Sequence, residues 1–390
     1  MMQMKKRLSA VCFLLSMMLL FSGCGAPQEV PSEPAVAETV SESIRLVSVG
    51  DVLMHMPVIR DGIQEDGTYD FRHIFEPMKE TFRSADIAIA NQETVFGGKD
   101  IGYSGYPAFN SPSEMGDALV DAGFDVILHA TNHVMDRGTK GIESTLSFWK
   151  KYPEIRVLGI NESPEAKEAV DIVEVKGAKL AMLNYTYGTN GIPVPSAKSY
   201  LVDKIDEEKI ERDLLFAEEN ADFTVAFMHW GVEYSLKPTK AQKELAEKMC
   251  AWGADLIIGA HPHVVEPVEW VEAENGNRAL VYYSLGNFVS RQKEANNLLG
   301  AMADVTLAFD GETVSVAEYS FLPVVTHYSM NYTDFRVYPL SEYTDELAAS
   351  CGVSKHDGKV SVERYQKVLE KAFDGYDISI VKGLAPQEKD

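Results

Sequence analysis

Acids, amides and imidazoles recur in this sequence at one kind of place, the end of a short apolar run. Ile44–Val49 leads into Gly50-Asp51, with His55 four residues on. A second run ends in Asn91-Gln92-Glu93, and a third in His129-Ala130-Thr131-Asn132-His133, with Asp136 and Gly138 beyond. Later runs end in His229-Trp230-Gly231-Val232-Glu233-Tyr234, in Gly259-Ala260-His261-Pro262-His263 and in Ser284-Leu285-Gly286-Asn287-Phe288. Each has an ordinary reading: a lone histidine as a hydrogen-bonding group, Asn132 as a helix cap, Gly286-Asn287 as a tight turn. Together they point to one shared metal or catalytic site. Carboxylates mixed with imidazoles suit Mn, Fe or Zn better than Ca or Mg. A carboxylate bridging two such ions would gather enough positive charge to hold a phosphate or another anion, and a non-ligand histidine beside it could protonate a leaving group.

The elements that must position these residues are legible as a pattern. Short Val-, Ile- and Leu-rich runs at Ile44–Val49, Asp86–Ala90, Phe124–His129, Ile155–Ile160, Lys179–Tyr185, Phe223–His229, Ala254–Gly259 and Ala279–Leu285 suit strands buried on both faces. Helical patterns separate several of them, at His73–Ser84, Ser113–Ala122, Lys140–Tyr152, Asp206–Asn220 and Thr239–Trp252. Strand alternating with helix predicts a layered α/β fold, in which sites form outside the carboxyl ends of the strands. After residue 300, Ala301–Phe309 and Thr313–Leu322 alternate like antiparallel strands joined at Asp310-Gly311. Residues 341–390 read as an acidic, helix-leaning appendage, with Ser361–Phe373 as its best helix.

The chain has 390 residues and carries 36 Lys+Arg against 59 Asp+Glu, a net charge of −23. That acidity argues against nucleic acid as a partner. Lys5, Lys6 and Arg7, the apolar run from Ala10 to Phe21, and Ser22-Gly23 before Cys24 read as a secretory signal over 1–23 ending in a bacterial lipobox, with Cys24 lipidated. Loss of those three basic residues turns 36 into 33 against 59, so the net charge becomes −26. Residues 24–43, rich in Pro and Glu, read as a flexible tether to the membrane. Four cysteines exclude a disulfide scaffold, and whether Cys250 pairs with Cys351 is left open.

These residues and their order resemble the metal-dependent phosphoesterases of the calcineurin-like fold. More closely, they resemble the CapA (PgsA) family of poly-γ-glutamate capsule synthesis and export. The likeness runs over about 44–325 and rests on Gly50-Asp51, Asn91-Gln92-Glu93, Pro107 through Asn132-His133-x-x-Asp136-x-Gly138, His229-Trp230-Gly231-x-Glu233-Tyr234, Gly253 to Gly259, His261-Pro262-His263-Val264 and Tyr283 to Phe288. It implies a four-layer α/β metallophosphoesterase-like fold, two mixed β-sheets flanked by helices, over 44–340. It also implies a divalent, dinuclear site with Asp51, Asn132, His229, His261 and His263 as ligands and Glu93 as the bridge. His133 is then the general acid and Asp136 its orienting group. Tyr106, Asn110, Trp230, Glu233, Tyr234 and Asn287 would line the pocket. The sequence departs from the pattern in its Asp51-x-x-x-His55 spacing, which counts against His55 as a ligand, and in Glu266, where Gln is usual. Three functions follow as alternatives: a lipid-anchored surface protein handling an anionic polymer such as poly-γ-glutamate alongside a membrane capsule-synthesis complex; a metallohydrolase of phosphoester or amide bonds; and a non-catalytic surface scaffold.

Overall fold

The computed structural model describes residues 42–384. The expected signal, Cys24 as the expected lipidation site and residues 24–41 of the expected tether lie outside those residues, while Glu42 and Ser43 belong to the first strand. Strands, numbered in chain order, build two mixed sheets. The first takes β1 (Glu42–Val52), β2 (Ile87–Gln92), β3 (Val126–Leu128) and β4 (Arg156–Leu158), all parallel neighbours in that order. The second takes β5 (Asp171–Val175), β6 (Ala178–Thr186), β7 (Phe223–His229), β8 (Leu256–Ala260), β9 (Val265–Glu272) and β10 (Arg278–Leu285), in the order β5-β6-β7-β8-β10-β9. The chain then returns to the first sheet. There β11 (Asn287–Val289) pairs with the end of β1, and β12 (Leu299–Phe309), β13 (Val314–His327) and β14 (Arg336–Pro339) extend it antiparallel.

The two-residue period of a strand decides which core each side chain enters. Val225 and Phe227 of β7 join a core shared with Leu46, Val47 and Val49 of β1. Ala226 and Met228, on the opposite face, pack against Ile210 and Leu214 of the helix Glu207–Asn220 and against Ala246, Met249 and Cys250 of the helix Lys240–Ala251. The second helix begins with a capping box: Thr239 Oγ1 accepts from Gln242 N, and Gln242 Oε1 accepts from Thr239 N at 2.8 Å. Gly253 ends it at φ 109°. Cys250 and Cys351 are buried free thiols.

Two expectations change. The helix expected over His73–Ser84 is broken into turns at Arg72–Ile74 and Glu76–Met78 and a short helix Lys79–Arg83. Pro77 lies inside it, and without an N–H it cannot continue an α-helix. Residues 341–384 do not stand apart as an appendage. Tyr343, Cys351, Tyr365, Leu369 and Phe373 are buried in the main core, and Phe373 meets Phe321 of β13 edge-on at 5.1 Å. Among the described residues no helix is long and apolar enough to cross a membrane.

Candidate metal centre

The site forms where the two sheets bring their strand ends together. Gly50 makes the first move possible. The β1–β2 register shifts between Val49 and Asp51, a bulge at Gly50 that re-aims Asp51. A Cβ at Gly50 would lie 1.9 Å from the Gly286 carbonyl oxygen, so only glycine fits. Asp51 N–H then donates to that same oxygen at 2.9 Å. Asn91, opposite Asp51 on β2, donates its amide to Asp51 Oδ1 at 2.7 Å. Glu93 follows at the end of β2, His229 closes β7, and His261 and His263 follow β8. The last two hold φ values of 98° and 59°, a conformation that costs a non-glycine residue about 1 kcal/mol or more. That turn brings the His261 backbone N–H to Asp51 Oδ2 at 3.3 Å and the His263 ring to the same oxygen, with Nδ1 3.1 Å away.

Two three-residue clusters result, Glu93/His229/His261 and Asp51/Glu93/His263, each with its candidate ligand atoms within 4.8 Å of one another. Glu93 belongs to both. Its Oε1 faces His229 Nε2 at 3.7 Å and its Oε2 faces His263 Nδ1 at 3.9 Å. Asn132 Oδ1 joins the first cluster, 2.9 Å from His229 Nε2.

The charge in this pocket calls for cations. Both oxygens of Glu93 and Nδ1 of His261 are buried with no hydrogen-bond partner. Burial, then the neighbouring Asp51 charge, pushes the Glu93 carboxyl well above its usual range. Burial lowers His229 strongly and His261 to about 4, so both rings are neutral and their lone pairs available. Burial also opposes charging His263, but Glu93 and Asp51 outweigh it and raise the ring to about 9. Two divalent ions would supply the missing positive charge and occupy the orphaned oxygens, so the donor set fits them.

Beside the clusters, His133 Nδ1 is 2.7 Å from Asp136 Oδ2, which also accepts from Phe109 N at 2.7 Å. Phe109 packs edge-on to the His133 ring at 4.7 Å. At the rim Tyr106 is 77% exposed, and Glu233 is exposed, its charge adding to the upward push on Glu93. Tyr234 is half exposed, with its ring 6.1 Å from that of His263. Asn287 is buried with Oδ1 3.1 Å from His263 Nδ1.

Two expected pocket residues face elsewhere. Asn110 is fully buried and spends its amide on the backbone, accepting from Gly97 N and donating to Gly98 O and Gly102 O. Trp230 is buried in the core under the helices and donates to Tyr283 O at 3.0 Å. His129 is also structural: it accepts from Trp149 Nε1 at 2.8 Å, and burial lowers it to about 3. His55 sits outside both clusters, its Nδ1 3.3 Å from Arg291 N and 3.2 Å from Leu53 O.

Sequence reasoning missed Tyr187 and Asn190, on the loop after β6. The Tyr187 ring lies over His261 at 4.6 Å and is 48% exposed. Asn190 spans the other side, with Oδ1 accepting from Asn132 at 3.3 Å and Nδ2 3.4 Å from His133 Nδ1. Their one trace in the sequence is the polar stretch from Thr186 to Asn190 that follows the predicted strand Lys179–Tyr185, which does not say where the loop returns.

Residues 45–292 match the family described as "Bacterial capsule synthesis protein PGA_cap". The chain is 30% identical over 275 residues to the "PGA biosynthesis protein CapA" of Bacillus subtilis, covering 67% of each. It is 26% identical over 362 residues to the "Capsule biosynthesis protein CapA" of Bacillus anthracis, covering 88% of this chain and 84% of that one. Among solved structures, a 5'-nucleotidase precursor from Thermus thermophilus is 12% identical with a TM-score of 0.45, over 86% of this chain and 59% of that one. The calcineurin-like phosphoesterase YfkN from Bacillus subtilis is 12% identical with a TM-score of 0.43, over 85% and 99%. The chain belongs to the bacterial capsule synthesis protein family.

Proposed function

We propose that this family member acts on an anionic capsule-type polymer such as poly-γ-glutamate at the bacterial surface, in its synthesis or export, through a dinuclear Mn, Fe or Zn centre. The observation that carries this reading is the sharing of Glu93 between two donor clusters. Glu93 would bridge the ions, with Asn132, His229 and His261 on one side and Asp51 and His263 on the other. The ions would supply Lewis acidity and a local positive field for an anionic ligand. The protein's own residues do the rest. His133, its Nδ1–H given to Asp136, is oriented to deliver a proton from Nε2 to a leaving group. Tyr187, Tyr234 and Tyr106 offer exposed aromatic walls beside the charged centre. The acidic exterior repels a polyanion elsewhere, which confines contact to this cleft.

Cys24, in this reading, carries a lipid that holds the domain at the outer face of the membrane, within reach of a capsule-synthesis complex. Deletion of the gene in its host should change the amount or chain length of a secreted anionic polymer, and unchanged polymer would overturn the reading. Radiolabelled palmitate should enter the full chain and be lost on Cys24→Ala.

The His133–Asp136 pair favours hydrolysis of a phosphoester or amide bond over passive binding. The purified full chain loaded with Mn²⁺ or Zn²⁺ should cleave bis(p-nitrophenyl) phosphate or poly-γ-glutamate. Polymer binding without turnover would instead mark a scaffold.

A further inference from the structure

We infer that Asn287 is a direct ligand of the ion held by Asp51, Glu93 and His263, filling the place that His55 does not reach; the inference rests on the two-cation reading of Glu93. The amide of Asn287 has only one tenable orientation. Its Nδ2 faces three acceptors, Asn297 O at 2.8 Å, Gln292 Oε1 at 3.0 Å and His263 O at 3.2 Å. Turning the amide over would put Oδ1 against those three oxygens, so Oδ1 is fixed on the other side. There it lies 3.1 Å from His263 Nδ1, the same distance at which Asp51 Oδ2 approaches that nitrogen. Asp51 and Asn287 are also direct partners across the β1–β11 pairing. One ring nitrogen thus sits between two oxygens, with Glu93 Oε2 beyond at 3.9 Å. Ligand atoms about 2.0–2.2 Å from one ion lie about 3.0–3.4 Å apart, which is the spacing of His263 Nδ1 from each of the two oxygens.

The two positions then differ in character. Asp51, Glu93 and Asn287 give three oxygens to one nitrogen. Glu93, Asn132, His229 and His261 give two of each. The oxygen-rich position suits a harder ion such as Mn²⁺, and the imidazole-rich one suits Zn²⁺.

The test is ion content by mass spectrometry, with electron paramagnetic resonance, on the Mn²⁺-loaded full chain. The intact chain should hold about two ions per molecule with a spin-coupled spectrum. Asn287→Ala should hold about one, with the six-line spectrum of isolated Mn²⁺. Asn287→Asp should again hold about two, because it restores a ligating oxygen while giving up the amide donors. Two coupled ions in Asn287→Ala would overturn the inference. Loss of the ion in a folded Asn287→Asp would also overturn it, by assigning the residue to loop support alone. Should Asn287→Ala not fold, Asn287→Asp decides between the two. An intact chain that binds no second ion overturns the two-cation reading itself.

Discussion

Nδ1 of His133 lies 2.7 Å from a carboxylate oxygen of Asp136, three residues further on. The same oxygen accepts from Phe109 N, so the carboxylate is pinned before it pins the ring. His133→Ala should lower hydrolytic turnover by about 10²–10⁴-fold without changing ion content. Asp136→Asn keeps an acceptor for Phe109 N but loses the charge beside the imidazole, so its loss should be smaller. Steady-state rates on the substrate that the loaded protein turns over check both, and full activity in His133→Ala would remove it from the chemistry.

Ion loading should stabilise the fold. The buried Asp51 and Glu93 carboxylates repel each other when no cation lies between them, and both sheets contribute ligands. At a free ion concentration a hundredfold above the dissociation constant, each site adds about 2.7 kcal/mol. Thermal melts of chelated and reloaded protein should therefore separate, and the gap should narrow in His261→Ala.

Asn110 is predicted to matter for stability and not for the ions. Asn110→Ala leaves Gly97 N–H and the Gly98 and Gly102 carbonyls without their partner. A loss of roughly 2–4 kcal/mol is expected in urea unfolding, with ion content unchanged. A variant that melts normally and loses metal would reverse this assignment.

Glu266 should give the stability a pH dependence. Burial pushes its carboxyl up to about 8, against the opposing hydrogen bond from Gln242, while an exposed glutamate sits near 4.5. The folded chain keeps a proton there that the unfolded chain has released. Its contribution is full below about pH 4.5 and falls away as pH rises to about 8. Glu266→Gln removes this slope, and at pH 8 it should be more stable than the parent by roughly 4 kcal/mol. Urea midpoints from pH 5 to 8 that run parallel in the two proteins would contradict it.

The sequence carried the strand ends well, because a buried parallel strand is a near-continuous apolar run and its polar successor is conspicuous. Asp51, Glu93, His229, His261 and His263 were legible in that way, and the structure brings them within one pocket. Side-chain direction was not legible. Trp230 follows His229 directly, yet the strand's two-residue period sends it to the opposite core. Asn110 looks the same in sequence whether it faces a ligand or three backbone groups. Tyr187 and Asn190 were hidden because a loop's return toward a distant strand end depends on tertiary packing.

The closing segment of the chain has a reach that its distance from the pocket conceals. Asp357 Oδ2 accepts from Ala295 N at 2.7 Å, and the short turn Ala295–Leu298 carries the Asn297 carbonyl that fixes the Asn287 amide. Those last helices therefore act as a buttress, and the wall of the pocket leans on them. A protease cut near Gly358 would leave every polar group of the centre in the polypeptide, yet it would let the wall sag, so damage at the far end would be felt as a change in what the pocket holds.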